Sequence, residues 1–314
     1  MLDLKNLETF VWVARLNGFR AAADRLNTTQ PAISTRIAGL ERDLGARLFD
    51  RRGRQIILTS KGIELLAYAE RMLVLKAEIV QNVGNPASAS GLLRLGVPET
   101  IVHTWLPVLI ERIAAAYPEL TLDIEVDSSP SLKAALLAET LDVAVLFAPV
   151  DEPRFTTRSI CSFPLAWVAS AKLSLPKRRQ LSLADIAGWP VITFRRETPP
   201  YQEIRRLFAR DGLAGARMFG SSSIAAMVRL ALDGVGACVL PPVIVQTELG
   251  DGRLKQLNVE HVIPAIDFLI CFRPSPANYL AEAISKLAAE SARAYARAPA
   301  NRSKILIPKI ENED

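Results

Sequence analysis

Apolar residues at the start of the chain recur at helical spacing. In the first such segment, residues 4–17, they are Leu4, Leu7, Phe10, Val11 and Ala14. This spacing predicts an amphipathic helix. A short alanine-rich helix is predicted over Arg20–Leu26, because the turn signals at residues 17–18 and 27–29 bound it on both sides.

A third helix is predicted from the proline at position 31 to about Leu44. The segment 27–29 offers capping side chains, proline suits the first turn of a helix, and Gly45 provides a stop signal. The apolar stripe of this helix consists of Ile33, Ile37, Leu40 and Leu44. A β-hairpin is then predicted over Leu48–Thr59, with arginines at its tip.

The next segment predicts one long helix over residues 60–83, followed by a linker. Its expected apolar side holds Ile63, Leu66, Ala67, Leu73, Ala77 and Val80. A single helix cannot bury such a stripe alone, so we expect it to pair with the same helix of a second copy. The composition of residues 84–91, GNPASASG, is typical of a linker.

From Leu92 onward, short apolar runs alternate with helical segments. This alternation predicts a parallel α/β sheet for residues 92–146 and a similar arrangement later in the chain. The predicted strands are LLRLGV, LTLDIEV, LDVAVLF, LAWVAS, VITF, GACVLP and DFLICF. The predicted helices are Trp105–Ala116, Ser131–Glu139, Tyr201–Arg210, Ile224–Leu232 and Asn278–Arg297. The tail after residue 297 shows no period and is expected to be mobile.

Charge separates the first fifth of the chain from the rest. Residues 1–61 carry 11 Lys/Arg and 6 Asp/Glu, a balance of +5 that equals the net charge of all 314 residues. The remaining residues are therefore neutral overall. A small basic module attached to a neutral body indicates a polyanion as the partner of that module.

Composition argues against several classes of protein. The apolar runs are far shorter than the roughly 18 residues that cross a bilayer, and the N-terminus lacks the apolar run of a secretory signal. We therefore expect a cytoplasmic protein with no membrane contact.

Cys161, Cys238 and Cys271 lie far apart, which favours buried reduced thiols. His103 and His261 have no ligand spacing around them, so neither a metal nor a cofactor is predicted.

The helix, short helix, turn and helix of the basic module favour a helix-turn-helix that binds DNA. The second helix of that motif enters the major groove, with polar residues at its outer start and apolar residues beneath. The outward-facing candidates for DNA contact are Thr28, Thr29, Gln30, Pro31, Ser34, Thr35 and Arg36. Three hairpin arginines, Arg51, Arg52 and Arg54, suit a wing that contacts phosphates or a narrow minor groove. The plain alternative is an ordinary three-helix module with a solvated basic face.

The segment TTQPAISTRIAGLERDLGARLFDRRGRQIILTSKG closely resembles the N-terminal signature of LysR-type transcriptional regulators. The matching positions are Thr29, Gln30, Pro31, Ala32, Ile33, Ser34, Leu40, Glu41, Leu44, Gly45, Leu48, Phe49, Arg51, Leu58, Thr59 and Gly62. Thr35 departs from the pattern, since many members carry a basic residue after the serine. The resemblance covers nearly the whole chain, and it implies a homodimer or homotetramer.

The resemblance also implies an architecture: a mostly helical, winged helix-turn-helix domain followed by a two-lobed α/β effector domain like a periplasmic binding protein. We expect the winged module at 1–60, a dimerising linker helix at 61–84 and a hinge at 85–91. The first lobe is expected at 92–161 and 267–297, the second at 162–266 and a tail at 298–314.

Hydroxyl groups recur where strands end and helices begin, which is where ligands bind in open α/β sheets. The candidates for contact with a small effector, expected to be anionic, are Pro98, Thr100, Ser128, Ser129, Ser131, Thr193, Ser222 and Ser223. Arg195 and Arg196 are further candidates for pairing with a carboxylate. For each hydroxyl the alternative is a plain helix cap, and for the arginines a solvated surface position.

The sequence is compatible with three functions. The leading one is a ligand-responsive regulator that binds double-stranded DNA. The second is a solute-binding sensor without a direct role on DNA, against which the basic module argues. The third is an enzyme on an α/β scaffold, which no phosphate-loop, zinc-protease or nucleophile-elbow pattern supports. We therefore expect no catalytic residues.

Overall fold

The computed structural model describes residues 3–52, 55–82, 89, 91–174, 176, 179–274, 279–301 and 304–308. The chain begins with four helices, α1 (Leu4–Leu16), α2 (Phe19–Arg25), α3 (Gln30–Leu44) and α4 (Ser60–Asn82). Between α3 and α4 lies an antiparallel hairpin of β1 (Phe49–Arg52) and β2 (Gln55–Leu58). The helices and the hairpin predicted for this part of the chain are therefore present.

One apolar core joins these helices to the hairpin. Phe49 of β1 packs against Phe10 of α1 and Phe19 of α2, with ring centroids 5.3 and 5.9 Å apart. Ala69 and Leu73 of α4 are buried in the same core. The first half of α4 is thus part of the N-terminal module.

Helix α4 presents apolar residues in two directions. Leu66 and Leu73, both assigned to the self-pairing stripe, pack instead into the core beside α1, so that assignment is wrong. The apolar side chains that remain exposed toward one side are Tyr68, Met72, Leu75 and Ile79, which we call the α4 seam. No helix in the described ranges, α4 included, is long and apolar enough to cross a bilayer.

The rest of the chain alternates strands and helices. The strands are β3 (Gly91–Val97), β4 (Leu120–Val126), β5 (Val143–Leu146), β6 (Thr156–Phe163), β7 (Ala166–Ser170), β8 (Val191–Phe194), β9 (Met218–Ser221), β10 (Ala237–Leu240), β11 (Leu254–Leu257) and β12 (Ile266–Phe272). The helices are α5 (Glu99–Val102), α6 (Leu106–Ala116), α7 (Ser129–Leu137), α8 (Leu183–Ala187), α9 (Pro199–Arg210), α10 (Ile224–Leu232), α11 (Gln246–Gly250) and α12 (Tyr279–Arg297).

The strands form two five-stranded sheets, which define two lobes. The first lobe has the order β4-β3-β5-β12-β6 and the second β11-β7-β10-β8-β9. The predicted parallel arrangement is confirmed for β3, β4 and β5. The first sheet as a whole is mixed, because β12 pairs antiparallel with both β5 and β6. Phe163 pairs with Ile266, so the chain leaves the first sheet after Phe163 and re-enters it at Ile266.

The tail is partly ordered, against expectation. Ser162 of β6 and Leu306 exchange two backbone hydrogen bonds of 2.8 Å, and Ile305 is buried. β6 is the edge strand of its sheet, so its outer N–H and C=O groups are available to this segment. Residues 309–314, the last two residues of the predicted linker helix (83–84) and most of the predicted hinge (85–88 and 90) lie outside the described residues.

A buried carboxylate attaches the N-terminal module to the first lobe. Asp142, directly before β5, accepts hydrogen bonds from both terminal guanidinium nitrogens of Arg25 and from the backbone N–H of Arg94 at 2.9 Å. The Arg94 guanidinium in turn donates to the carbonyl oxygens of Arg25 and Asp24, each at 2.9 Å. Burial, and next the Arg25 charge, lower the pKa of Arg94. The end of α2 and the start of β5 are therefore held together.

The wing is packed directly against the start of α4 at Gly62. A Cβ atom at this position would lie 2.2 Å from the carbonyl oxygen of Leu48 and 2.9 Å from a methyl group of Leu58. The backbone oxygen cannot move aside as a flexible side chain could, so only glycine fits here. This close approach gives a physical reason for the glycine of the signature.

We expect Gly62→Ala to lower the free energy of unfolding by about 1–3 kcal/mol, the usual cost of forcing extra volume into a packed site. Urea unfolding monitored by circular dichroism measures the change. Gly39→Ala in α3 is the matched control, since a Cβ there has no atom within 4 Å. Alanine in a helix should leave that variant as stable as the wild type or slightly more stable. Equal stability of the two variants would contradict this account of Gly62.

The cysteines lie in the strands of both sheets. Cys161, Cys238 and Cys271 are free and buried, which confirms the prediction of buried reduced thiols. Burial raises the pKa of the Cys161 thiol to about 12, and it also raises the pKa of Cys238 and of Cys271. The reactive thiolate form is therefore scarce at each of the three positions.

We expect none of the three thiols to react rapidly with a disulfide reagent in the native protein at mildly alkaline pH, because each is both protonated and shielded. Absorbance of the released chromophore follows the reaction. The same titration in guanidinium chloride is the control and should release three equivalents, one per cysteine. One rapid equivalent from folded protein would show that a strand carrying a cysteine opens readily.

Candidate nucleic-acid interface and interlobe cleft

Local sequence defines both ends of α3. Thr29 caps its start, with its hydroxyl accepting a hydrogen bond from the N–H of Ala32 at 3.4 Å, and Pro31 lies in the first turn. Asn27, with φ of 49°, makes the left-handed turn that separates α2 from α3. At the other end Gly45 adopts φ of 61° and terminates the helix. Short polar residues and glycine tolerate this conformation best.

The two faces of α3 differ in the way that a groove-binding helix requires. Ile33, Ile37 and Leu40 are buried in the core of the N-terminal module, whereas Gln30 and Thr35 are exposed. Among the other predicted contact residues, Thr29 and Pro31 are exposed and Thr28 and Ser34 are half-buried. The predicted polar surface at the start of α3 is therefore accessible.

Arg36 differs from the other predicted contact residues of α3. Its guanidinium donates a hydrogen bond to the hydroxyl of Thr9 on α1, at 3.4 Å, and the residue is half-buried. Thr9 is itself fully buried and donates to the carbonyl oxygen of Lys5. Arg36 thus links α3 to α1, and in this arrangement its side chain turns toward α1.

A carboxylate joins the end of α3 to the wing. Glu41 accepts hydrogen bonds from the backbone N–H groups of Leu48 and Phe49, at 2.8 and 3.4 Å. In the hairpin Arg52 pairs with Gln55, so Arg51 and Arg52 lie at the end nearest the tip. Their side chains and the whole of Arg54 lie outside the described residues. The hairpin is thus held at a defined place beside α3.

Between the two lobes lies an open cleft with about 530 Å³ of empty space, part of it continuous with the surrounding solvent. It is built at the carboxyl ends of β3, β4, β8 and β9, where polar residues follow each strand. Its lining consists of Pro98, Glu99, Thr100, Asp127, Ser128, Ser129, Phe147, Phe194, Arg195, Thr198, Pro200, Ser221, Ser222, Ile224, Ile266 and Phe268.

Five predicted effector contacts come together in this cleft: Pro98, Thr100, Ser128, Ser129 and Ser222. Three others do not line it. Ser131 is hydrogen-bonded to Ser128, and Ser223 caps α10 by accepting from the N–H of Ala226. Thr193 is fully buried and points away from the cleft, because it alternates along β8 with Phe194, which lines it.

The sequence patterns missed the apolar floor of the cleft and its acidic residues. Phe147 follows β5, Phe194 ends β8, and Ile266 and Phe268 both belong to β12, so residues from three strands of the two lobes form this floor and no local pattern groups them. Arg195, a weaker candidate, does line the cleft, and its guanidinium lies 3.4 Å from Glu197. The position of Glu99 was not anticipated at all.

Two carboxylates and one imidazole meet elsewhere on the surface. Single ligand atoms of Asp211, Glu260 and His261 lie within 4.8 Å of one another, although the sequence predicted no metal site. A guanidinium nitrogen of Arg210 lies 3.2 Å from Nε2 of His261 and already places a positive group there. These side chains are therefore explained as a surface charge cluster.

Two family models together match most of the chain. The model described as "Bacterial regulatory helix-turn-helix protein, lysR family" matches residues 4–63, and "LysR substrate binding domain" matches residues 86–293. The first match covers the helical module with its wing, and the second covers both lobes and the cleft between them.

Individual proteins agree with these matches. "HTH-type transcriptional regulator BbuR" of Bordetella bronchiseptica is 30% identical over 81% of this chain and 78% of its own length. "HTH-type transcriptional regulator GltR" of Bacillus subtilis is 26% identical over 82% of this chain and 86% of its own. The crystal structure of ArgP from Mycobacterium tuberculosis, 20% identical, shares the fold with a TM-score of 0.60 over 93% of this chain and 98% of its own.

Proposed function

The chain belongs to the LysR family of bacterial transcriptional regulators, and we propose that it places α3 in the major groove of an operator while a small molecule occupies the interlobe cleft. The observation that carries the proposal is the polar start of α3, which is accessible in the one module that holds all the net positive charge. Gln30 and Ser34 are the residues we assign to base contacts, with Thr28, Thr29, Pro31 and Thr35 around them. The wing arginines 51, 52 and 54 are assigned to phosphates.

The proposal assigns a function to each segment of the chain. Residues 1–60 bind DNA, the linker helix 61–84 dimerises, and the lobes on either side of the cleft sense the ligand. We propose that the chain acts by binding rather than by catalysis, in the cytoplasm where its DNA is. A solute-binding role alone would explain the cleft but would leave the basic module without a function.

A selection experiment tests the DNA contacts. We expect the wild-type chain to enrich one family of sequences from random duplex DNA, and Gln30→Ala with Ser34→Ala to lower the affinity for that family by tenfold or more. Each well-made base contact is worth about 1–3 kcal/mol of discrimination. Fluorescence anisotropy at fixed salt measures the affinities.

The matched control is Glu111→Ala, an exposed carboxylate on α6 in the first lobe. It should bind the enriched sequence as the wild type does. Binding of all variants to unrelated DNA should fall steeply and equally with salt, since phosphate contacts release counterions. If the doubly substituted chain keeps both the sequence preference and the affinity, α3 does not contact the bases.

The α4 seam supplies a surface for pairing two copies. Tyr68, Met72, Leu75 and Ile79 follow a spacing of four, three and four residues, which places them along one side of the helix. Successive residues of a helix are rotated by about 100° around its axis. By that measure the α4 seam is rotated by roughly a quarter to a third of a turn from the side of α4 that packs against α1. A parallel or antiparallel pair of α4 helices would bury these side chains. In a dimer with two-fold symmetry, the two recognition helices contact half-sites about one helical turn apart.

We expect Leu75→Asp to convert the protein into monomers, because a carboxylate would have to be buried in the seam without a partner. Sedimentation equilibrium measures the change in mass. Ile63→Asp is the matched control: Ile63 is 63% exposed but lies on the opposite side of α4, so this variant should associate as the wild type does. A Leu75→Asp chain that stays fully dimeric would place the interface elsewhere.

A further inference from the structure

A carboxylate of the first lobe crosses the cleft to the second. Glu99, the first residue of α5, accepts hydrogen bonds from the backbone N–H groups of Ile224 and Ala225, at 2.5 and 3.3 Å. The hydroxyl of Ser223 lies 3.4 Å from the same carboxylate. These three donors form the start of α10, in the other lobe. The contact therefore joins residues about 125 positions apart.

The start of α10 is a place where negative charge is favoured. The first N–H groups of a helix have no partner within it, and the helix dipole is positive at that end. Ser223 satisfies the N–H of Ala226, and Glu99 satisfies the two that precede it. The Glu99 carboxylate is 22% exposed and lies 3.5 Å from Nε2 of His103. The carboxylate therefore has polar partners in both lobes and is still partly accessible to solvent.

The position that Glu99 fills belongs to the ligand cleft itself. Glu99 and Ile224 both line the cleft, beside Thr100 and Ser222. The start of α7, another helix that lines the cleft, has its own carboxylate in Asp127, which accepts from the N–H of Ser128 at 2.5 Å. Asp127 stays within its lobe, whereas Glu99 links the two.

We infer that the Glu99 carboxylate is a built-in substitute for the anionic group of the effector. In the ligand-free protein it occupies the start of α10 and holds the lobes together. An effector with a carboxylate, sulfate or phosphate group displaces it, takes over the N–H groups of Ile224 and Ala225, and bridges the lobes in its place. The apolar floor of the cleft receives the rest of that molecule. This inference rests on the proposed effector role of the cleft.

The exchange has a thermodynamic consequence. A ligand shifts a conformational equilibrium only through interactions that differ between the two states. Before the exchange the N–H groups of Ile224 and Ala225 donate to Glu99, and after it they donate to the anionic group of the effector. The side chain of Glu99, once released, no longer ties α5 to α10. Glu99 would therefore determine both which anions bind and how the lobes respond.

Hydrogen exchange of the ligand-free full-length chain tests the contact directly. In Glu99→Ala we expect the amides of Ile224 and Ala225 to exchange about ten to one hundred times faster than in the wild type, as befits the loss of hydrogen bonds to a charged acceptor. The amide of Ala226 is an internal reference, because Ser223 still accepts from it. Glu99→Gln should give an intermediate rate, and Glu111→Ala no change. Equal rates at Ile224 and Ala225 in all variants would overturn the inference.

Sulfate is the probe for the displaced position. At matched ionic strength with chloride, we expect sulfate to raise the melting temperature of Glu99→Ala more than that of the wild type, because no carboxylate competes for the start of α10 in that variant. An equal response of the two proteins would show that Glu99 does not hold the position against an anion, and would overturn the displacement step. Both measurements are made without DNA. A failure of DNA selection would therefore leave their outcome unaffected, and the two proposals can fail separately.

Discussion

Backbone N–H groups at the ends of strands and helices must find acceptors when water is excluded, and this requirement shapes every junction of the chain. Glu41 accepts from Leu48 and Phe49 between α3 and the wing. Asp142 accepts from the backbone N–H of Arg94 within the first lobe and from the guanidinium of Arg25 in the N-terminal module. Glu99 accepts from Ile224 and Ala225 between the two lobes. The three acidic side chains thus lie where neighbouring parts of the fold meet.

The contacts at Asp142 and at Glu99 differ in solvent exposure and in the charge of the hydrogen-bond donors. Asp142 is 3% exposed and also pairs with Arg25, whose guanidinium lies 4.4 Å from the ring centre of Trp12. Removing one partner of such a pair would leave the other charge buried without compensation, so the contact is costly to open. Glu99 is more exposed and is bound by uncharged donors together with His103. The interlobe junction is therefore the one at which a small molecule can compete.

Local sequence patterns predict the helices of the N-terminal module and part of the lining of the cleft. The capping residues, Pro31 and Gly45 define α3, because helix ends depend on neighbours within a few positions. Thr100, Ser128 and Ser129 line the cleft as predicted, because each lies within three residues of the end of a strand. Thr193 also lies at a strand end, but the alternation of side chains in β8 turns it into the core. The direction of the Arg36 side chain and the exposed face of α4 both depend on where α1 packs, and the periodicity of the sequence does not determine that position. Glu99, the partner of Ile224, and the docking of Leu306 on Ser162 depend on contacts between residues more than one hundred positions apart.

The placement of the cysteines has one more consequence. Their sulfur atoms lie inside the sheets as protonated thiols, and the sequence contains no others. Peroxides and related oxidants attack thiolates that they can reach. Oxidants that act on accessible thiolates would therefore leave the three cysteines unaltered, which favours a small molecule bound in the interlobe cleft as the signal.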